Sequence, residues 1–411
     1  MVSFERKIYL FLEQYPFAKK IVRDVYQYLF SIVPTKNRSP FQIVVRDRSF
    51  FGFHDKCPWS FDNKKLLSHR FSSNSNKKAD AKTFVEIGYY QGEQRDNFKQ
   101  LDTTFAWNWQ QGAMLQWVGK DEKIAYNTHD GQKVYTKIVD LNGNLISKLD
   151  RAVAAIDHSG QWMLSYSFER MRRGAPGYEY SIGYEPEEKD PIPKNDGLYV
   201  VNIKSGLSKK LFSIKEIVEL EPQRSFNESY HFFSHCLFSP SGNRFVFYHR
   251  WKDSSGYLNS RMISSDLEGK KLYIFPTTRF VSHICWSDSE HILGYVGTDK
   301  SGLAYYILKD FEDEITPVGL DQLTVDGHPQ FNPVNRSFVT DTYPDRTRMQ
   351  KLLHYKMDEQ KVHELLSLKI PFRYRDEVRC DFHPRWDRTG KQISFDSAHT
   401  GFRSHCTISL E

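Results

Sequence analysis

One short pattern recurs seven times after residue 41, and it limits the fold more than any other feature of the chain. Each copy sets an aromatic or apolar residue before a Ser, Asn or Asp, then a turn, then a second apolar strand. The clearest copies are His235-Cys236-Leu237-Phe238-Ser239-Pro240-Ser241-Gly242 and His283-Ile284-Cys285-Trp286-Ser287-Asp288. Two more are His328-Pro329-Gln330-Phe331-Asn332-Pro333 and His383-Pro384-Arg385-Trp386-Asp387. Weaker copies begin at Cys57, Leu115 and Ala155. The spacing is irregular, at roughly 40 to 75 residues. Antiparallel units repeated on that scale predict an all-β fold, a seven-bladed β-propeller, with each copy the inner hairpin of a four-stranded blade. The last copy leaves room for only about three strands before Glu411. The segment Phe41 to Val45 is therefore expected to complete the last blade and close the ring, which removes exposed edges. The segment Arg170 to Asn195 reads as a long surface insertion in the third blade.

The repeat also aligns histidines. Four residues before the turn Ser, Asn or Asp stand His235, His283, His328 and His383, in four consecutive blades, in a chain with 15 His. On inner strands these imidazoles would surround the central channel at one level. His69, His129, His249 and His399 end the second strands, and His54 precedes the first inner hairpin. The expectation is one mouth lined by up to nine His. Neutral imidazoles at one level suit a divalent metal such as Zn or Mn, with Cys380 or Asp381 as a further ligand. Histidines that merely bond to neighbouring blades would give the same pattern. Arg70, Arg170, Arg250 and Arg403, with Arg346, Arg348 and Arg375, fall in the loops after these strands. Together they would form a cationic mouth able to grip carboxylates. Trp107, Trp109, Tyr178 and Tyr180 are candidates for stacking on sugar rings or for packing.

Outside the repeat, residues 1 to about 34 carry apolar residues at helical spacing: Phe4, Ile8, Phe11 and Leu12, then Ile21, Val22, Val25, Tyr28 and Leu29. Lys7, Lys19, Lys20 and Arg23 lie among them. Two readings stand: a basic amphipathic segment making peripheral membrane contact, or helices packed on the propeller. Residues 1–40 thus form a helical extension and linker, and 41–411 the propeller. No run of about 18 apolar residues spans a membrane. The apolar stretch Ile8 to Leu12 is too short for a signal peptide, and five scattered Cys argue against a disulfide framework. A cytoplasmic location is expected, with the inner membrane as a peripheral contact. The balance of 57 Lys and Arg against 51 Asp and Glu is mild, so an anionic ligand is allowed and nucleic acid is not expected.

The degenerate blades, the His-Pro-aromatic hairpins and the late segment Phe395-Asp396-Ser397-Ala398-His399-Thr400-Gly401-Phe402-Arg403 resemble propeller polysaccharide lyases. Oligogalacturonate lyases and ulvan lyases are the families meant, over about residues 45 to 411. Phe53-His54-Asp55-Lys56-Cys57-Pro58-Trp59-Ser60 and Trp107-Asn108-Trp109-Gln110-Gln111-Gly112 are similar to motifs of these propellers too. The resemblance implies a metal held by inner-strand His, and His328 and His383 match that place. Val378 and Asp381 stand where the oligogalacturonate lyase pattern has a Gln and a His.

It further implies β-elimination on a uronic-acid-containing poly- or oligosaccharide. His54 and His129 would move protons, Tyr178 would be the acid and Arg170 would hold the carboxylate. His69, Arg70, His249, Arg250, His399 and Arg403 would bind substrate, and His235, His283, His328 and His383 the metal. The alternative is a membrane-peripheral protein of capsule or exopolysaccharide biosynthesis that binds a glycan, or serves a glycosyltransferase, without lyase activity.

Overall fold

The computed structural model describes residues 16–72, 77–120, 122–185, 187–299 and 302–411. Seven four-stranded antiparallel sheets are arranged as blades. The innermost strands are Ser49–Phe50, Gln116–Trp117, Ala155–Ile156, Tyr230–Phe238, Val281–Trp286, Gln330–Phe331 and Arg385–Trp386. In five blades the aromatic of the repeat ends the innermost strand, at Trp117, Phe238, Trp286, Phe331 and Trp386, and in blade one Trp59 lies past that strand in a bridge to Leu66. Trp59, Trp117, Phe238, Trp286 and Trp386 are all buried, which accounts for the aromatic content as packing between and within blades.

The ring closes as expected, with the closing strand two to three residues later than Phe41 to Val45. Val44–Asp47 pairs with Ser404–Ser409, Val44 opposite Thr407 and Asp47 opposite Ser404. The N-terminal strand is the outermost of the seventh blade, so the two ends of the propeller are joined by one ladder.

Ahead of it, Pro16–Ser31 is a helix. It rests on the propeller through Arg23, which donates to Asp376 at 3.0 Å, through Tyr28 against Phe372, and through Phe30 under Arg346. The expected helical residues 1–15 lie outside the described residues. No helix among the described residues is long and apolar enough to cross a membrane.

The third-blade insertion is ordered around a buried Arg170. Its Nε donates to the carbonyl of His231 at 2.6 Å, and Nη1 to Glu185 at 2.7 Å. Nη2 donates to the carbonyls of Asp190 and Pro191, each at 2.9 Å. Every guanidinium nitrogen is engaged, so Arg170 folds the insertion, and no donor is left for a substrate carboxylate. Trp107, Trp109 and Tyr180 are buried as well, so of the two readings for these aromatics packing holds and sugar stacking does not. Trp107 and Trp109 pack edge to face at 4.7 Å, and Tyr180 stacks on Phe168.

Candidate metal centre in the central channel

The histidine column is real, and the inner strands are distorted to make it. The ladders of blades four and five shift register between Ser234 and Leu237 and between Val281 and Ile284, so His235 and His283 sit on bulges. A bulge re-aims a side chain that a regular strand would direct into the blade. His235 and His383 also adopt φ of 53° and 45°, a left-handed conformation that costs energy for a residue with a Cβ. In blade one the segment after Phe50 leaves the ladder and carries Phe53 and His54 into the channel. The Phe53 ring centroid lies 5.0 Å from His235, 5.8 Å from His283, 5.9 Å from His328 and 5.1 Å from His383. His54 lies 5.4 Å from His328, and His328 lies 4.0 Å from His283 and 4.2 Å from His383. Five histidines therefore form one buried cluster.

What distinguishes this cluster is the set of polar atoms left over. His54 Nδ1 stands 2.8 Å from the carbonyl of Pro329, which only accepts, so Nδ1 carries the hydrogen and Nε2 is a bare lone pair. His328 Nδ1 faces Asp341 Oδ1 at 2.7 Å. With that hydrogen donated to the carboxylate, Nε2 of the neutral His328 ring is likewise a lone pair. The Nε2 atoms of His54, His328 and His383, and Asp381 Oδ1, are buried without a hydrogen-bond partner. Buried polar atoms without partners call for a water, an ion or a ligand, and here several of them converge on one point.

His328, His383 and Asp381 offer three ligand atoms within 4.8 Å of one another. Two imidazoles and a carboxylate suit Mn, Zn or Fe. Asp341 supports the set from behind. It accepts the backbone N–H of His328 at 2.8 Å and of His383 at 3.1 Å while holding the His328 ring. A carboxylate behind a ligating imidazole fixes its tautomer and raises its basicity. Asp381 Oδ2 accepts from Arg379 Nε at 2.6 Å, which aims Oδ1 inward.

Burial is the largest influence on the ring pKa values. It pushes His54, His235 and His383 well below the ordinary value, with neighbouring cationic side chains adding to the effect. His283 is lowered as well, by burial and then by His328, despite Asp326 at 3.2 Å. His328 is the exception. Burial is the largest influence and opposes its charge, but the Asp341, Asp381 and Asp326 carboxylates together outweigh it and raise the pKa. Four neutral rings suit a site that awaits a cation, because a proton and a metal compete for the same lone pair.

Two cavities reach the cluster from opposite sides. One of about 370 Å³ is lined by Asp381, Arg379, Tyr343 and Arg348, with Arg23 and Gln27 of the N-terminal helix. The other, of about 230 Å³, runs along the inner strands to His54 past Lys56, Cys57 and Arg388. Tyr178, from the insertion, reaches the cluster: its ring is 5.6 Å from His235, and its hydroxyl accepts from Arg379 Nη2 at 3.2 Å. Arg250 lies 5.0 Å over the Tyr248 ring, and that ring stacks on His235. Its Nε is buried without a partner.

The other sequence candidates stand elsewhere. His69 is enclosed in blade one. Its Nδ1 faces the carbonyl of Phe50 at 3.3 Å, and its Nε2 accepts the Ala113 N–H at 3.0 Å. His249 is enclosed in blade four, between His231 and Arg261. These placements correct the expectation of a nine-histidine mouth, because the side chains at the ends of these second strands turn into the blade interiors. His129 lies at the rim, 6.1 Å from Phe105, and Arg70 pairs with Glu86 at 2.5 Å. His399 Nδ1 is 2.9 Å from Ser397 Oγ. Arg403 is buried over Trp109 and donates to the carbonyls of Val378 and Arg379, so it braces the segment that carries Asp381 and His383. Arg348 is also buried, donating to the Tyr374 carbonyl at 2.6 Å. Cys380 packs in the core of blade seven with its thiol pushed up to about 12 by burial, so of the two flanking candidates Asp381 joins the ligand set and Cys380 does not.

Asp326, Asp341 and Arg379 were not singled out from the sequence. Asp341 had a signal: it ends the second strand of blade six, at the position that carries His69 in blade one.

No family model and no curated protein matches the chain. Among solved structures, an oligogalacturonate lyase in complex with manganese superposes with a TM-score of 0.60 at 14% identity, over 92% of this chain and 99% of that one. An oligogalacturonate lyase from Vibrio parahaemolyticus gives 0.58 at 14% identity, over 91% and 92%. Propellers of peptidases match less well, the tricorn protease at 0.46 over 33% of its length. At these identities the likeness concerns architecture. The chain is a seven-bladed propeller with the fold of the oligogalacturonate lyases, matched along nearly its whole length.

Proposed function

We propose that the chain is a metal-dependent, glycan-active propeller that cleaves a uronic-acid-containing oligosaccharide by β-elimination. The observation that carries this reading is the group of unpartnered ligand atoms on His328, His383 and Asp381, in the channel of a propeller with this fold. A divalent cation held there would supply positive charge to a substrate carboxylate and so acidify the adjacent C5 proton.

The chain's own residues supply the rest. Arg250, with its Nε unpartnered beside His235, takes over the carboxylate contact expected of Arg170. His235 and His54, held neutral, are poised to accept the C5 proton. The C5–H electron pair becomes the C4–C5 double bond as the C4–O bond breaks. Tyr178, whose hydroxyl accepts from Arg379, stands near enough to His235 to return a proton to the departing oxygen. His129 lies at the rim and takes no part in this arrangement.

The test is the ultraviolet absorbance of unsaturated uronate ends. Purified protein with Mn or Zn is incubated with a panel of galacturonate, glucuronate, guluronate and iduronate oligomers. A rise with at least one oligomer, abolished by chelation and cut about 100-fold or more in Arg250→Ala, is expected. No rise across the whole panel overturns the lyase reading.

A further inference from the structure

The mouth opposite Asp381 is basic on one side only. There the innermost strands end in the turns of the repeat. The residue after the turn Ser, Asn or Asp is Pro240, Asp288 and Pro333 in blades four to six. In blade three it is His158 and in blade seven Arg388. The turn of blade two carries Lys120, and Lys56 precedes the hairpin of blade one. Blades seven, one, two and three follow one another around the ring, so these four side chains share one half of the mouth. Lys56, His158 and Arg388 line the cavity of about 230 Å³ that reaches His54 from this side. With Lys120 they also line an adjoining hollow of about 180 Å³.

Two carboxylates beside them are already engaged. Asp157 Oδ1 accepts the N–H groups of Gln161 and Trp162, and Oδ2 the N–H and hydroxyl of Ser159. Asp387 Oδ1 accepts the N–H groups of Lys391 and Gln392, and Oδ2 the Thr389 hydroxyl and the Asn63 amide. Four donors around each offset its charge. The cationic donors are in surplus. Arg388 Nη2 donates to the Trp59 carbonyl at 3.3 Å, and its Nε is buried without a partner. Lys56 Nζ, on a side chain 11% exposed, meets Asp55 Oδ2 at 2.7 Å and has two more hydrogens to give. Burial and then the Arg388 charge hold the His158 ring below its ordinary pKa, which sets those two side chains close. One acceptor is left over as well: Asp55 Oδ1 is buried without a partner, on a side chain 2% exposed. Buried cationic donors to spare call for an oxyanion, and the leftover carboxylate oxygen beside Lys56 calls for a hydroxyl group. Trp286, Phe331 and Trp386 supply an apolar wall. The cavity is smaller than the roughly 300–1,000 Å³ of pockets for drug-sized ligands, so it suits one sugar ring and not a chain.

We propose that this mouth binds a hydroxylated oxyanion of monosaccharide size, a sugar acid or a sugar phosphate. Its anionic group is held by Lys56, Arg388 and His158, and one of its hydroxyls donates to Asp55 Oδ1. The site lies apart from the metal ligand set, because Asp381 opens on the opposite cavity. It stands whether or not the chain is a lyase.

The experiment is titration calorimetry of the full chain against galacturonate, glucose 6-phosphate, glucose and acetate, with chelator present to keep the metal centre empty. At least one of the two anionic sugars is expected to bind one to one, about tenfold or more tighter than glucose or acetate. The tighter of the two tells a sugar-acid site from a sugar-phosphate site. Arg388→Gln is expected to weaken that binding about tenfold or more, His158→Gln to weaken it less, and His383→Ala to leave it unchanged. Four results would each overturn the proposal: no binding of either anionic sugar at millimolar concentration, glucose binding as tightly as both of them, binding by the double variant Arg388→Gln, His158→Gln equal to the parent's, or a loss in His383→Ala as severe as in the double variant. Arg388→Gln gives up one side-chain hydrogen bond of the fold, to Trp59, and His158→Gln alone decides if the double variant does not fold. None of these results depends on the lyase assay, so the two readings fail separately.

Discussion

Two buried histidine clusters sit within one propeller, and they differ in one respect that decides their chemistry. In blade four, Arg261 Nε donates to His249 Nδ1 at 3.0 Å, and His231 Nε2 donates to the carbonyl of Phe226 at 3.1 Å. A guanidinium only donates and a carbonyl only accepts, so His249 Nε2–H must donate to His231 Nδ1, 2.8 Å away. All four ring nitrogens are matched with both rings neutral. In the channel, His54, His328 and His383 each keep a buried Nε2 with nothing to bond. Burial and residue type are the same in both. The difference teaches that a buried histidine points to function when the fold leaves it an unspent lone pair, and to architecture when every nitrogen is used.

Acid should blur this distinction first and most strongly. His69 is pushed down to about 3 and His231 to about 4 by burial, and His54, His235, His249, His383 and His405 are lowered by the same cause. Their unfolded values lie near 6.5, so between that pH and each folded value the unfolded chain binds more protons. Stability then falls as pH falls, by about 1.4 kcal/mol per unit for each such group. Both clusters contribute. The melting temperature is expected to drop steeply below about pH 6.5, with uptake of several protons on unfolding, measured by calorimetry in buffers of different ionisation enthalpy. A melting temperature flat from pH 7 to 5 would contradict the neutral assignments.

Substitution should separate the clusters again. His383→Ala removes a ligand atom that the fold does not use, so metal affinity is expected to fall on the order of 1,000-fold with little change in the melting temperature of the metal-free protein. His249→Ala does the reverse. It strands Arg261 Nε and a His231 nitrogen in the interior, for a loss of about 3 kcal/mol, and leaves metal affinity unchanged. Titration calorimetry and thermal denaturation of both variants read the crossing directly. If His249→Ala loses metal as severely as His383→Ala, the division between the clusters is wrong.

Asp341→Asn is the finest cut. The carboxylate uses two oxygens, Oδ1 for the His328 ring and backbone N–H and Oδ2 for the His383 N–H. The amide has one accepting oxygen, so it gives up one side and removes the charge behind the His328 ring, and an about 10- to 100-fold loss of metal affinity is typical of such a change. Affinity within about twofold of the parent would show that the carboxylate behind His328 does not support the ligand set.

Much of this was readable in the chain. The repeat gave the blade count and closure, because each copy must bury one face against its neighbours whatever its loops do. The repeat also put His235, His283, His328 and His383 at one level, and Asp381 beside them. It could not tell these from His69 and His249, because His249 is saturated by Arg261, from the next strand of its own blade, and by His231, which is bound in turn to Phe226. Arg170 and Arg250 follow equivalent strands, yet only Arg170 meets Glu185 and the insertion carbonyls. Asp326 and Arg379 lie outside the repeated hairpins, so no alignment of copies could flag them, whereas Asp341 sits within one and could have been compared with its counterparts.

Local periodicity and strand-forming residues therefore determined the architecture from sequence alone, since blade packing depends on neighbours in the chain. The tertiary structure alone decided which polar atoms are satisfied, and which side of the N-terminal helix faces water. Both depend on partners hundreds of residues away, such as Asp376 for Arg23 and Pro329 for His54, which local sequence does not encode.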